Sequence, residues 1–278
     1  MNLIIQSGLP VATKHLDHLT RLAQSADRKQ IAENAWRLTA AQAHNEIAPY
    51  CMANRLDYGF VPHDRSWKDI GLVLMDMDST LIAIECIDEI ADMHGLKPQV
   101  AAITGASMRG EIEFAEGLRR RVALLEGLDE HALQQVYDER LKLSPGAETM
   151  LAALKSHGIK TMLVSGGFAF FANRLQEKLG LDYAQANTLE IAGGKLTGKV
   201  AGDIVDAQSK ADWLVKIRDQ LNLKPGQVIA MGDGANDLKM MAQAGISIAY
   251  HAKPVVREQA SYALNFTGLD GLLNLLED

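Results

Sequence analysis

The stretch Leu72-Val73-Leu74-Met75-Asp76-Met77-Asp78-Ser79-Thr80 sets a short apolar run directly before two aspartates separated by one residue. A run this short, apolar at every position, fits a strand buried on both faces better than a helix. Comparable runs follow at Thr161 to Val164, Val228 to Met231 and Ile246 to Ala249, with helical segments between them. That alternation predicts an α/β fold with a parallel sheet flanked by helices. Asp76-Met77-Asp78, Ser165-Gly166-Gly167 and Gly232-Asp233-Gly234 close three of the runs. Ligands of open parallel sheets bind beyond the carboxyl ends of the strands, so these separate segments aim polar groups at one place.

Outward from this frame, residues 86–141 form a mostly helical interruption far longer than an ordinary crossover, which predicts an inserted helical cap. A second interruption, Thr188 to Val200, carries Gly193-Gly194 between two alternating pieces and predicts a β-hairpin. Ahead of the sheet, Asn2 to Ser7 and Tyr58 to Pro62 are expected as short strands, and residues 13–23 and 40–48 as amphipathic helices. Residues 62–66, Pro-His-Asp-Arg-Ser, have the composition of a linker. The division expected is 1–70 as a small N-terminal α/β unit of unassigned role, 71–85 with 143–278 as a catalytic core, and 86–142 as the cap.

The chain of 278 residues is 47% hydrophobic and carries a formal net charge of -7, which offers no general attraction for nucleic acid or anionic lipid. No stretch approaches the ~20 apolar residues a membrane helix needs, so no membrane partner is expected. Cys51 and Cys86 are the only cysteines. They make no disulfide framework and no metal-ligand spacing, so a reducing cytoplasmic setting is expected.

Asp76 and Asp78 fall on the same side of the chain if the extended conformation persists past the strand. One carboxylate can then attack phosphorus, forming an acyl-phosphate, while the other protonates the leaving alcohol and later activates water. Asp233 and Asp237 add further negative charge, and a phosphate ester would add more, so a hard cation with oxygen ligands, Mg²⁺, is required. Asn236 offers an uncharged donor to phosphate. Ser165 and the N–H groups of Gly166-Gly167 precede a helix and make a phosphate cradle, and Lys210 can offset charge in the transition state. Each of these features alone is also ordinary: an acidic glycine-rich turn, a loop, a solvated lysine. Their combination carries the reading.

Asp76-Met77-Asp78-Ser79-Thr80, then Ser165, then Lys210, then Gly232 to Asp237, in that order, resemble the haloacid dehalogenase-like superfamily. The resemblance implies its Rossmann-like sheet, with the first Asp as nucleophile and the second as acid/base. Dehalogenase members lack the second Asp, so Asp78 points to phosphate ester chemistry. Glu85, Arg121-Val122, Val164 to Phe168, Leu196-Thr197-Gly198 and the 232–237 cluster are similar to the bacterial phosphoserine phosphatase family over residues 72–266. By that likeness Glu85 would receive a serine ammonium and Arg121 a serine carboxylate, with Met108 and Phe114 closing over the substrate from the cap. Charge complementarity gives both ionic roles a physical sense. Without the likeness, Arg119-Arg120-Arg121 is a solvated helix segment and Glu85 a helix N-terminal residue.

The resulting expectation is a Mg²⁺-dependent phosphatase hydrolysing O-phospho-L-serine, the last step of serine biosynthesis. Its metal would be held by Asp76, the backbone carbonyl of Asp78 and Asp233, with Asp237 supporting. Lys210 belongs to the catalytic set, and Ser165, Gly166, Lys210 and Asn236 to the substrate-binding set. The partner expected is a small molecule, on a monomer or homodimer. The alternatives are another small phosphomonoester or a phosphotransfer on the same scaffold, a non-catalytic phosphorylated receiver, which Asp78 argues against, and amino-acid sensing by residues 1–70.

Overall fold

A computed structural model describes residues 1–277, with the side chain of Met108 outside the described set. The N-terminal elements are β1 (Asn2–Gln6), α1 (Thr13–Leu22), β2 (Asp27–Ala32), β3 (Ala35–Thr39), α2 (Ile47–Ala53) and β4 (Asp57–Val61). They form an antiparallel sheet in the order β2-β3-β1-β4. The period of two along β1 sends Leu3 and Ile5 into a core with Leu16, Leu19, Ile47 and Cys51, while Ile4 joins the main core of the molecule. The sheet therefore has apolar cover on both faces.

Two expectations are corrected here. The second helix begins at Ile47 and runs to Ala53, not over 40–48, and a hairpin, β2 with β3, fills a stretch that had been given no structure. β2 is Asp-Arg-Lys-Gln-Ile-Ala at the sheet edge, mostly solvated, so it lacks the apolar alternation that marks a strand.

The main body continues with β5 (Leu72–Met75), α3 (Cys86–Met93), α4 (Lys97–Met108), α5 (Phe114–Ala123), α6 (His131–Glu139), α7 (Ala147–Ser156), β6 (Lys160–Phe168), α8 (Ala169–Leu179), β7 (Tyr183–Ala192) and β8 (Lys195–Ala201). It ends with α9 (Ala207–Gln220), β9 (Val228–Gly232), α10 (Leu238–Met241), β10 (Ile246–Tyr250), α11 (Pro254–Gln259) and β11 (Tyr262–Leu264). The seven strands lie in the order β11-β10-β9-β5-β6-β7-β8, all parallel except β8. β5 is central and wholly buried, with Leu72 and Leu74 facing the α9–α11 side and Val73 and Met75 the α7–α8 side. The chain leaves β5 for β6 on one side and reaches β9 on the other. That reversal opens a crevice at the carboxyl end of β5.

Helices α3 to α6 stand between β5 and β6, and their Leu118, Val122, Leu133 and Val136 are continuous with the main core. β6 extends through Ser165-Gly166-Gly167 to Phe168 rather than stopping at Val164, with a register shift where the glycines fall. The hairpin at Gly193-Gly194 forms, but its first strand starts earlier and joins the main sheet. α9 starts at Ala207, capped by Asp206, which places Lys210 inside its first turn.

The stretch 62–66 is anchored at its C-terminal end. Ser66 bridges to Glu277, and the Trp67 N–H donates to the Glu277 carbonyl at 2.8 Å. Nearby, the Asp57 carboxylate, 1% exposed, accepts from the N–H groups of Asn265 (2.7 Å), Phe266 (3.0 Å) and Thr267 (3.0 Å) and from the Thr267 hydroxyl (2.9 Å). A buried carboxyl group with four donors fastens β4 to the far end of the chain, and its loss would strand backbone donors. Asp57→Ala is expected to lower unfolding stability by about 3 kcal/mol in urea titration. A loss under about 0.5 kcal/mol, the size of an ordinary surface substitution, would show that this tie contributes nothing.

Candidate active site

Asp76 leaves β5 and is 5% exposed; one of its oxygens accepts from the Met77 N–H at 2.7 Å and the other pairs with Lys210 Nζ at 2.7 Å. Asp78 keeps extended angles, and the chain then turns at Ser79, whose φ of +54° is unusual for a residue with a Cβ. This turn brings the N-terminus of α3 to Asp78, whose carboxylate accepts from the Cys86 N–H at 3.1 Å, and lets the Ser79 hydroxyl donate to Glu85 at 2.6 Å.

At the end of β6, Ser165 is buried and its hydroxyl accepts from the Gly167 N–H at 2.9 Å. A Cβ at Gly167 would collide with the Asp78 carboxylate, so glycine is what allows the two strand ends to approach. Asn187 on β7 braces the cradle: its amide donates to the Gly166 carbonyl at 2.8 Å and its oxygen accepts from the Val205 N–H at 2.8 Å. Beyond β9, Asp237 is fully buried, pairs with Lys210 at 2.7 Å and accepts from the Gly234 N–H at 3.1 Å. Lys210, 1% exposed, is thus clamped between Asp76 and Asp237.

A cavity of about 460 Å³ lies over these groups. Of the residues predicted from sequence, Asp76, Asp78, Ser165, Gly166, Asp233 and Asn236 line its sheet side, and Glu85, Phe114 and Arg121 its other walls. Lys210 and Asp237 lie beneath the lining and act on it through Asp76. Met108 was expected to close over the substrate, and its side chain lies outside the described residues. Sequence reasoning missed Thr104, Ser107, Lys253 and Asn187. Lys253 had a usable signal, since it follows β10 and so occupies the same end of the sheet as the other motifs.

Crowded acids set the electrostatics. Burial first, then Glu85 and Asp76, push the Asp78 carboxyl up to about 8, so it holds its proton at neutral pH. Asp233 is raised by burial and by Asp76, against the pull of Lys253 and Lys210. Solvent reaches Glu85 at the mouth, but surrounding protein and nearby carboxylates still raise it despite the Ser79 hydrogen bond. Burial alone would lower the Lys210 ammonium, but Asp237 and Asp76 outweigh it and hold the charge firmly. Burial draws Arg121 down against the attraction of Asp88, Glu85 and Asp78. Asp76, Asp233 and Asp237 present carboxylate oxygens within 4.8 Å of one another. An all-oxygen, mutually repelling donor set fits a hard divalent cation. Asp76 and Asp237 each have both oxygens engaged, with Lys210 and a backbone N–H, so Asp233 is the freest of the three.

The sequence model of the haloacid dehalogenase-like hydrolase family matches residues 70–245, and that of a domain of unknown function matches residues 3–47. The phosphoserine phosphatase of Polaromonas sp. (strain JS666) is 53% identical over 237 residues, 84% of this chain and 98% of that protein. A crystal structure of the probable phosphoserine phosphatase from Vibrio cholerae in unliganded form superposes with a TM-score of 0.87 at 38% identity, covering 99% of this chain and 85% of that one. A phospho-aspartyl intermediate analogue of phosphoserine phosphatase superposes with a TM-score of 0.70 at 39% identity, covering 75% of this chain and 99% of that one. The chain therefore belongs to the haloacid dehalogenase-like hydrolases, and among them to the phosphoserine phosphatase family.

Proposed function

We propose that this chain hydrolyses O-phospho-L-serine to L-serine and phosphate through an aspartyl-phosphate on Asp76, with Mg²⁺ as cofactor. The observation that carries the reading is the convergence in one cavity of Asp76, fixed by Lys210 at 2.7 Å, and Asp78, whose carboxyl is pushed up to about 8 by burial, Glu85 and Asp76. In the first half-reaction a carboxylate oxygen of Asp76 bonds to phosphorus, the bond from phosphorus to the serine oxygen breaks, and the Asp78 proton passes to that oxygen. In the second, Asp78 takes a proton from the water that attacks the acyl-phosphate, releasing phosphate and restoring Asp76.

Asp76, the Asp78 backbone carbonyl and Asp233 would hold the cation, with Asp237 supporting. When bound, the cation offsets the charge that phosphoryl oxygens bring to these carboxylates. Ser165, Gly166 and Asn236 bind the phosphoryl group, and Lys210 steadies the nucleophile from below. Glu85 and Arg121 meet the ammonium and carboxylate of the amino acid, and Phe114 shields the reacting centre. We assign residues 71–85 and 143–278 to the catalytic core, 86–142 to a cap and 1–70 to an N-terminal unit. The product fits the last step of serine biosynthesis in the cytoplasm.

Asp76→Asn is expected to reduce phosphate release from phosphoserine by at least ~10³-fold, and near-normal turnover would sink the mechanism. In kcat/KM, which reports the first half-reaction alone, Asp78→Asn should cost on the order of 10²-fold or more with phosphoserine but much less with p-nitrophenyl phosphate, whose leaving group departs without a proton; equal losses in kcat/KM on both would remove the acid role. The raised Asp78 carboxyl gives stability that is fully present below its unfolded pKa, near 4, and lost as pH rises through about 8. Burial and Asp76 also raise Asp237, to about 7, and Asp233, so protons compete with a cation for their oxygens, and millimolar Mg²⁺ should raise Tm more at pH 8 than at pH 5. An equal shift at both values would contradict the carboxylate site.

A further inference from the structure

Helix α4 presents Thr104 and Ser107, one turn apart, to the wall of the cavity that also carries Arg121. Neither hydroxyl has a part in the reaction above. The recorded hydrogen bonds of Arg121 go to uncharged acceptors: Nε donates to the Gly117 carbonyl at 3.4 Å and Nη1 to the Thr104 hydroxyl at 3.5 Å. Those long bonds orient the guanidinium and leave most of its donors unspent. Ser107 is the odd member of the wall, because its hydroxyl is shielded from solvent and has no hydrogen-bond partner among the described residues. It lies against Gly117, where a Cβ would collide with it, so glycine on α5 makes its room. Ile87, Phe114 and Leu118 make the neighbouring lining apolar. A buried hydroxyl left unpaired is costly, and such a group calls for a reason.

We propose that Thr104 and Ser107 complete an anion seat around Arg121 that reads the α-carboxylate of the substrate. Thr104 is a positioning residue that holds the guanidinium toward the cavity. Ser107 turns about its Cα–Cβ bond, away from Gly117, and donates to a carboxylate oxygen that the guanidinium leaves uncovered. A carboxylate has about four acceptor sites, and a forked guanidinium occupies two, so a third donor has a place. The seat rests on the phosphoserine reading and deepens it, because it states which part of the substrate the α4 face recognises.

Phosphoethanolamine tests this, since it keeps the phosphate and ammonium and lacks only the carboxylate. The readout is the ratio of kcat/KM for phosphoserine to that for phosphoethanolamine, which does not depend on the fraction of enzyme that is active. Ser107→Ala, which removes one oxygen from a helix that favours alanine, is expected to lower the ratio about tenfold, the size of one hydrogen bond to a charged group. The loss should appear in KM for phosphoserine. Thr104→Val should lower the ratio similarly, and Thr104→Ser, which keeps the hydroxyl, should restore it. A ratio unchanged in Ser107→Ala, or equal losses on both substrates, overturns the seat while the phosphoserine reading stands. A wild-type enzyme that releases no phosphate from phosphoserine overturns that reading, and the seat falls with it.

Discussion

Like charges crowded into one crevice are the condition from which the rest of this structure follows. Asp76, Asp78, Glu85 and Asp233 line one cavity, with Asp237 buried beneath it. Lys210 is buried among them, held between Asp76 and Asp237 at 2.7 Å on each side. A buried charge is tolerated only when paired, and removing Lys210 would leave both aspartates in the core without their counter-ion. The clamp therefore fixes where the Asp76 carboxylate sits. Burial, Glu85 and Asp76 push the Asp78 carboxyl up to about 8, so it keeps its proton at neutral pH. One crevice thus gives two chemically identical side chains different surroundings, Asp76 an ion pair with Lys210 and Asp78 a hydrogen bond from the Cys86 N–H.

The sheet makes this arrangement possible. β6, β5 and β9 are neighbours, so their carboxyl ends bring together residues far apart in sequence. Glycine at 167 lets the β6 end approach Asp78, and Asn187 locks the cradle from the next strand. The helices inserted after β5 supply the opposite wall, with an acid at Glu85 and a base at Arg121. The cavity is thus walled by Asp76, Asp78, Ser165 and Asp233 on the sheet side and by Glu85 and Arg121 on the helical side.

Much of this was legible in the sequence, for physical reasons. β5 and β9 are short apolar runs because they are buried on both faces, and a helix, α8, does follow Ser165-Gly166-Gly167. The polar segments after the strands could be placed together because parallel sheets align their carboxyl ends. What stayed hidden lacked a local signature. β2 is a solvated edge strand whose residues carry no alternation. β6 runs on through two glycines, which read as a loop. The role of Asp57 depends on backbone donors at residues 265–267, and that of Asn187 on residues 166 and 205, so neither shows in its own neighbourhood. Thr104 and Ser107 look like ordinary helix residues until α5 is packed beside them.

The central claim is that a protein carboxylate, that of Asp76, becomes the phosphate carrier. Peptide mapping by mass spectrometry after acid quenching during steady-state turnover of phosphoserine addresses it directly. The account predicts a phosphoryl group on the peptide that contains Asp76, lost when the quenched protein is returned to neutral pH with hydroxylamine. A phosphoryl group on another residue, or rapid turnover with no phosphorylated peptide at any quench time, would contradict it.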